Sequence, residues 1–275
     1  MTARLPARRA ILGAAVAAGF AALCLGASAV AQEKFTKDRL PTGALRATYI
    51  ATNPVQAFID PKTSEVRGPG ADIARDLASH LGVTVSITGV AGPAGVIDSI
   101  KKGDADIGML AFDPLRAAEV DFSEVYALAQ NTYMVPANSA IKTVADVDRA
   151  GAKVGVTERD AADLFLTRAL KSAELKRNST GTVETAIKWL ADGTVEAYGT
   201  NRQRLTELAA KNPGYRLLPD NFYGVEQSVV VAKGNKALLQ FVNGVLDEAR
   251  DAGRIARSIE NAGLIGVDVA PAPKK

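Results

Sequence analysis

Cysteine and histidine are almost absent from this sequence, and their scarcity excludes several kinds of catalytic and metal site. Cys24 is the only cysteine and His80 the only histidine among 275 residues. Serine–histidine and cysteine–histidine nucleophile systems therefore lack a partner, and zinc lacks its usual ligands. The flanking residues place His80 on a helix, where we interpret it as a solvated side chain. We expect no metal, no cofactor and no enzymatic activity, although catalysis by carboxylates alone stays open.

A strong net charge is also lacking once the N-terminus is set aside. The chain has 33 basic and 30 acidic residues, and three of the basic residues (Arg4, Arg8 and Arg9) lie in its first nine positions. The remaining 30 basic residues balance the 30 acidic ones. A nearly neutral chain argues against a nucleic-acid or anionic-membrane partner.

The N-terminus has the pattern of a secretory signal peptide. Three arginines precede an uncharged, largely apolar run, which ends in Ala29-Val30-Ala31. A basic start, an apolar middle and small residues at the cleavage site are typical of such signals. A membrane anchor is the alternative, and the Arg8–Arg9 pair leaves twin-arginine and general export both open. We expect cleavage after residue 31, with a mature chain of 244 residues that begins at Gln32 and lacks Cys24.

The mature chain alternates between patterns typical of strands and of helices. Residues 45–50, 83–87, 107–110, 153–156, 195–198, 215–218 and 229–231 are predicted strands. Helical spacing of apolar residues separates them, a glycine-rich turn is expected at residues 68–70, and Asp160 is a predicted N-cap. Residues 270–275 are expected to be a frayed tail. Two alternating blocks of this kind predict two α/β lobes with mostly parallel sheets.

Four stretches, in order, resemble family 3 of the bacterial extracellular solute-binding proteins. Residues 70–78 and 81–83 are similar to the family's G-F-D-V-D-L-A and L-G-V, and residues 100–107 to its L-x-x-G-x-x-D. Residues 113–116 and 120–126 are similar to T-P-E-R and V-D-F-S-x-P-Y, and residues 144–147 and 154–156 to L-A-D-L and V-G-V. The resemblance covers residues 43–264, nearly the whole mature chain.

The resemblance implies a type II periplasmic binding protein fold with two lobes and two hinge crossings. Lobe 1 would comprise residues 32–130 and 227–275, and lobe 2 residues 131–226, with crossings near 130–133 and 225–228. A small polar solute would bind in the cleft and be trapped by hinge closure. The implied setting is the periplasm, the implied partner an inner-membrane ABC permease, and the expected state a monomer.

Arg116 matches the family arginine that grips the ligand's carboxylate, and Asp113 lies three residues before it. A guanidinium suits this role because its planar fork binds both carboxylate oxygens and stays charged. A surface ion pair is the alternative for Arg116. Asp113 could contact the ligand or only cap the turn at Pro114.

Other positions depart from the family's pattern. Asn53 and Pro93 stand where the family has aromatic residues that stack on the ligand, so we expect a more polar cleft. Arg159 and Asp160 replace a Gly-Thr loop; they could bind an anion at the helix N-terminus, or be a solvated side chain and a cap. Asn201 replaces the acid that holds the ligand's ammonium group.

These departures predict weak binding of simple α-amino acids, and they favour an acidic or amide-bearing small molecule. Asp113, Glu158 and Glu226 are the carboxylates that could substitute for the missing acid. An alternative function is that of a periplasmic cyclohexadienyl-type dehydratase on the same scaffold, with Glu158 or Glu226 as its catalytic acid.

Overall fold

The computed structural model of the protein describes residues 34–51, 53–158, 160–180 and 183–273. The predicted signal peptide (residues 1–31) and the position of Arg159 lie outside these ranges. No helix among the described residues is long and apolar enough to cross a membrane.

Twelve strands and seven α-helices alternate along the described residues. The strands are β1 (Leu45–Ile50), β2 (Phe58–Ile59), β3 (Val66–Arg67), β4 (Val85–Val90), β5 (Ile107–Ala111), β6 (Val120–Pro136), β7 (Lys153–Thr157), β8 (Glu174–Asn178), β9 (Ala197–Asn201), β10 (Tyr215–Leu217), β11 (Tyr223–Ala232) and β12 (Val267–Val269). The helices are α1 (Pro69–Leu81), α2 (Gly92–Lys102), α3 (Ala161–Ala169), α4 (Val183–Ala191), α5 (Arg202–Lys211), α6 (Lys236–Asp251) and α7 (Arg254–Asn261).

Ten of the strands form one sheet with a parallel group at each end. The order is β4-β1-β5-β11-β6-β9-β7-β8, and β10 and β12 also pair with β6. At one end β4, β1 and β5 run parallel to one another, and at the other end β8, β7 and β9 do so. The long strands β6 and β11 are antiparallel to each other and to their outer neighbours, β9 and β5. This is the expected two-lobed α/β fold, in which β6 and β11 make the two crossings.

Apolar side chains on both faces of the sheet build the cores of the two lobes. Along β6, Tyr133 and Val135 pack in one cluster with residues of α3, while Met134 packs on the other side with residues of α4 and α5. Successive strand residues point to opposite faces, so this alternation covers both sides of the second lobe. In the first lobe α1, α6 and α7 cover one face of the sheet and α2 the other.

Local sequence determines where helix α1 begins and ends. Gly68 and Pro69 were expected to form a turn with Gly70, but Pro69 is the first residue of α1, where proline is favoured. Gly70 is needed there because an added Cβ would lie 2.8 Å from the carbonyl oxygen of Gln56. The helix ends at Gly82, whose left-handed φ of 65° suits glycine.

Three other expectations need correction. The strand predicted from Val195 begins two residues later, because the Val195 amide donates to the Trp189 carbonyl at the end of α4. The tail is anchored at its first residue: Ala270 is buried and its amide donates to the Tyr126 carbonyl, 3.1 Å away. His80 is not simply solvated, since its Nε2 lies 2.9 Å from a Glu248 carboxylate oxygen on α6.

Candidate functional site

A cavity of about 480 Å³ opens where the two lobes meet the crossing strand β11. Cavities of about 300–1,000 Å³ are typical of small-molecule sites. Its wall comes from the turn after β5, from one face of α3 and from the first residues of β11. The lining residues are Ala111, Phe112, Asp113, Pro114, Arg116, Ala161, Leu164, Arg168, Tyr223, Val225 and Glu226.

The turn after β5 presents Arg116 to the cavity and is held by Asp113. Asp113 Oδ1 accepts hydrogen bonds from the amides of Leu115, at 2.9 Å, and of Arg116, at 3.3 Å. Asp113 therefore caps the turn and also lines the cavity, so the two roles considered from the sequence are compatible.

Arg116 donates from Nη1 to the carbonyl oxygen of Ala111, at 2.9 Å. That bond fixes the half-buried guanidinium against its own turn. Among the described residues it makes no other hydrogen bond and no ion pair, so four of its five N–H donors stay available. A cavity-facing guanidinium in this state can bind a carboxylate through two parallel bonds.

Arg168 and Glu226 add one charge of each sign to the cavity wall. Both are exposed, and neither side chain has a hydrogen bond or ion pair with another described residue. Sequence reasoning considered Glu226 but missed Arg168. Helical spacing could have indicated it, because Ala161, Leu164 and Arg168 lie at i, i+3 and i+7 and so share one face of α3.

The walls between these charges are apolar. Phe112, from the first lobe, is 43% exposed and makes an edge contact with Phe122, while Leu164, on α3, is 49% exposed. Tyr223, on β11, stacks on Phe165 of α3 with ring centroids 4.5 Å apart and planes 12° from parallel. Asn53 and Pro93, which stand where the family has aromatic residues, do not line this cavity, and its apolar walls come from other elements.

Tyr223 also reports on the electrostatics of the cavity. Burial raises the pKa of its hydroxyl, Glu226 and Asp113 raise it further, and Arg168 lowers it. The hydroxyl therefore lies within electrostatic reach of three of the charged side chains that line the cavity.

The other expected site residues each use a side-chain oxygen for local structure, and none of those described lines this cavity. Asn53 Oδ1 accepts from the Val55 amide at 3.2 Å. Asn201 Oδ1 caps α5 by accepting from the backbone amides two and three residues further along the chain, at 3.0 and 3.3 Å. Arg159 lies outside the described residues.

Asp160 is the cap of α3, as predicted. Its Oδ1 accepts from the Asp163 amide at 2.8 Å, and its Oδ2 accepts from the Thr200 hydroxyl at 3.1 Å. Burial raises the pKa of its carboxyl group. Because Thr200 precedes Asn201 on β9, a carboxylate lies beside the strand end where the family acid was expected.

Comparisons with known proteins agree with this architecture. A family model described as bacterial extracellular solute-binding proteins, family 3, matches residues 45–262. The ABC transporter glutamine-binding protein of Bacillus subtilis (strain 168) is 25% identical over 200 residues, which cover 71% of this chain and 72% of that protein.

Two solved structures extend the likeness. An ancestral arginine-binding protein bound to arginine is 27% identical, with a TM-score of 0.57 and coverage of 79% of this chain and 97% of that one. An ancestral amino acid-binding protein, a precursor of cyclohexadienyl dehydratase, is 24% identical, with a TM-score of 0.57 and coverage of 80% and 95%. At that identity the second likeness concerns the fold alone. Since the family model matches well over half of the sequence, this chain belongs to the bacterial extracellular solute-binding proteins, family 3.

Proposed function

We propose that this protein is the periplasmic solute-binding component of an ABC importer and that it binds an α-amino acid in the cavity between its lobes. The observation that carries the proposal is Arg116, whose guanidinium faces the cavity with four unused donors beside the carboxylate of Asp113. A charged ligand that leaves water needs such partners, because desolvating an unpaired ion is costly. The relatives named above, which bind glutamine or arginine, support an amino acid as the ligand class.

Asn201 is neutral, so the ammonium group of the ligand needs a carboxylate from another position. A neutral amide at position 201 predicts weak binding of amino acids unless another carboxylate pairs with the ammonium group. Asp113 and Glu226 both line the cavity, and Asp113 has a second carboxylate oxygen that accepts no hydrogen bond from a described residue. We assign the ammonium to Asp113 and the carboxylate to Arg116.

Delivery to a permease would follow from closure of the lobes around the ligand. We place the hinge on the paired strands β6 and β11, near residues 130–133 and 225–228, with lobe 1 at residues 32–130 and 227–275 and lobe 2 at 131–226. The predicted signal peptide would export the chain, and the protein would act as a monomer.

Titration calorimetry with the twenty amino acids and with simple dicarboxylates tests the ligand class. We expect at least one amino acid to bind, and Arg116→Ala to weaken it by about 1.5–3 kcal/mol, the scale of a charge-assisted hydrogen bond. That loss corresponds to about a 10- to 150-fold rise in Kd. Arg149→Ala is the matched control, because Arg149 forms an exposed ion pair with Glu196 and does not line the cavity.

Unchanged affinity in Arg116→Ala, or binding of dicarboxylates and of no amino acid, would reject the proposal. Incubation with prephenate tests the dehydratase alternative separately, since product formation would make the protein an enzyme.

A further inference from the structure

We propose that Glu226, Arg168 and the Tyr223 hydroxyl form a subsite for the far end of the ligand's side chain, and that this subsite selects a neutral carboxamide or ureido group. The inference deepens the proposed function and rests on it. It concerns the polar side chains that α3 and β11 contribute to the wall of the same cavity.

The three groups come from two elements but line one cavity. Arg168 lies in the last turn of α3, and Tyr223 and Glu226 lie on β11. Neither charged side chain has a hydrogen bond or ion pair with another described residue, so both are available to a ligand. The stack of Tyr223 on Phe165 holds the tyrosine ring in place and thereby positions its hydroxyl.

The cavity extends far enough along α3 to hold an extended amino acid. Ala161 and Arg168 both line it, and seven residues of α-helix span about 10 Å. Arg168 therefore lies about two turns from the N-terminus of α3. An extended side chain of three or four bonds can pass between the apolar walls made by Phe112 and Leu164.

The chemistry of the subsite favours a neutral group that both donates and accepts. A carboxylate accepts hydrogen bonds only, a guanidinium donates only, and a tyrosine hydroxyl does both. A carboxamide offers an NH₂ group to Glu226 and a carbonyl oxygen to Arg168, so every partner is satisfied. A ligand ending in a carboxylate would face repulsion from Glu226, and one ending in an ammonium would face repulsion from Arg168.

Calorimetry with five ligands of similar length tests the subsite. Glutamine and citrulline carry neutral donor–acceptor ends, glutamate and ornithine carry single charges, and norvaline ends in a hydrocarbon. We expect glutamine or citrulline to bind the wild type about tenfold or more tightly than the other three, since each lost bond to a charged group costs about 1.5–3 kcal/mol.

Opposite shifts in two variants form the decisive signature. Glu226→Gln leaves Arg168 as the only charged side chain of the subsite and should raise the affinity for glutamate relative to that for glutamine by about tenfold. Arg168→Gln leaves Glu226 as the only charged side chain of the subsite and should raise the affinity for ornithine relative to that for glutamine by a similar factor. Tyr223→Phe keeps the ring stack and should weaken glutamine without favouring either charge, and Arg149→Ala should leave the order unchanged.

Other outcomes separate the two proposals. Amino-acid binding that ignores the side-chain end, with the same ligand order in all variants, overturns this inference and leaves the proposed function intact. This inference also fails if the single variants lower the Tm without altering the order, because Glu226 and Arg168 would then pair only with each other. Failure of every amino acid to bind overturns the proposed function and this inference with it.

Discussion

Replacing Asp160 by asparagine and by alanine separates the cap that this residue provides from the charge that it carries. Alanine removes the acceptor for the Asp163 amide and the acceptor for the Thr200 hydroxyl. Loss of an N-cap costs about 0.5–2 kcal/mol, and loss of a further hydrogen bond about 0.5–1.5 kcal/mol. We therefore expect Asp160→Ala to lower the free energy of unfolding by about 1–3 kcal/mol, which is about 2–12 °C in Tm for a chain of this size.

Asparagine keeps the cap, because its carbonyl oxygen accepts the same amide bond and the threonine hydroxyl can rotate to pair with its NH₂ group. Burial raises the pKa of the Asp160 carboxyl in the folded protein. A raised folded pKa means that the stability contributed by this group is fully present below its unfolded pKa and is lost as the pH rises through the folded value. Asp160→Asn should therefore be more stable than the wild type at pH 7, with a difference that shrinks as the pH falls through the raised folded pKa toward the ordinary value of 3.8.

Urea denaturation followed by the fluorescence of Trp189, the only tryptophan, measures both effects. Trp189 lies on α4, in the same lobe as Asp160, and its ring is 6.5 Å from that of Tyr198. An asparagine variant that is less stable at neutral pH, or one whose difference from the wild type is the same at pH 4 and pH 7, would refute the reasoning.

Three further predictions concern stability and processing. The backbone carbonyl of Asp76 and the carboxylate of Glu248 raise the pKa of His80, so their contribution to the free energy of unfolding is present below pH 6.5 and is lost as the pH rises through the folded pKa. Glu248→Gln should therefore flatten the pH dependence of Tm between pH 6 and 8, and the free energy involved should be less than about 0.5 kcal/mol because the pair is exposed. Gly108→Ala should destabilise the first lobe by about 1–3 kcal/mol in urea titrations, because the new Cβ would lie 2.5 Å from a methyl group of Val96. Intact-mass analysis of periplasmic protein should find a chain that begins at Gln32, and a retained N-terminal segment would contradict the signal-peptide prediction.

Elements with strong local signals could be predicted from the sequence. The cap of α3 at Asp160 and the end of α2 at Gly103 follow from residue types that satisfy helix ends on their own. The long crossing strand β6, the short strands β2, β3 and β12, the polar strand β8 and the helix α7 were missed. Glu174–Asn178 is an edge strand with few buried residues, and α7 buries only Ile255, Ser258 and Ile259.

The candidate site divides in the same way. Asp113 and Arg116 belong to a short stretch that resembles the family, and one turn holds both, so their proximity depends on local chain geometry alone. Asn53 and Asn201 were inferred from position in the family pattern, yet each uses its side-chain oxygen to cap a local turn or helix.

What the sequence determined by itself is the alternation of strands and helices, the two-lobed fold that the motifs imply, and the arginine in the turn after β5. Only the tertiary structure decided that Arg168 of α3, Tyr223 and Glu226 of β11 and Arg116 line one cavity. The physical reason is that periodicity identifies which residues share a face of a helix, but not which other element that face meets. That depends on how β6 and β11 pair across the middle of the sheet and bring α3 opposite the turn after β5.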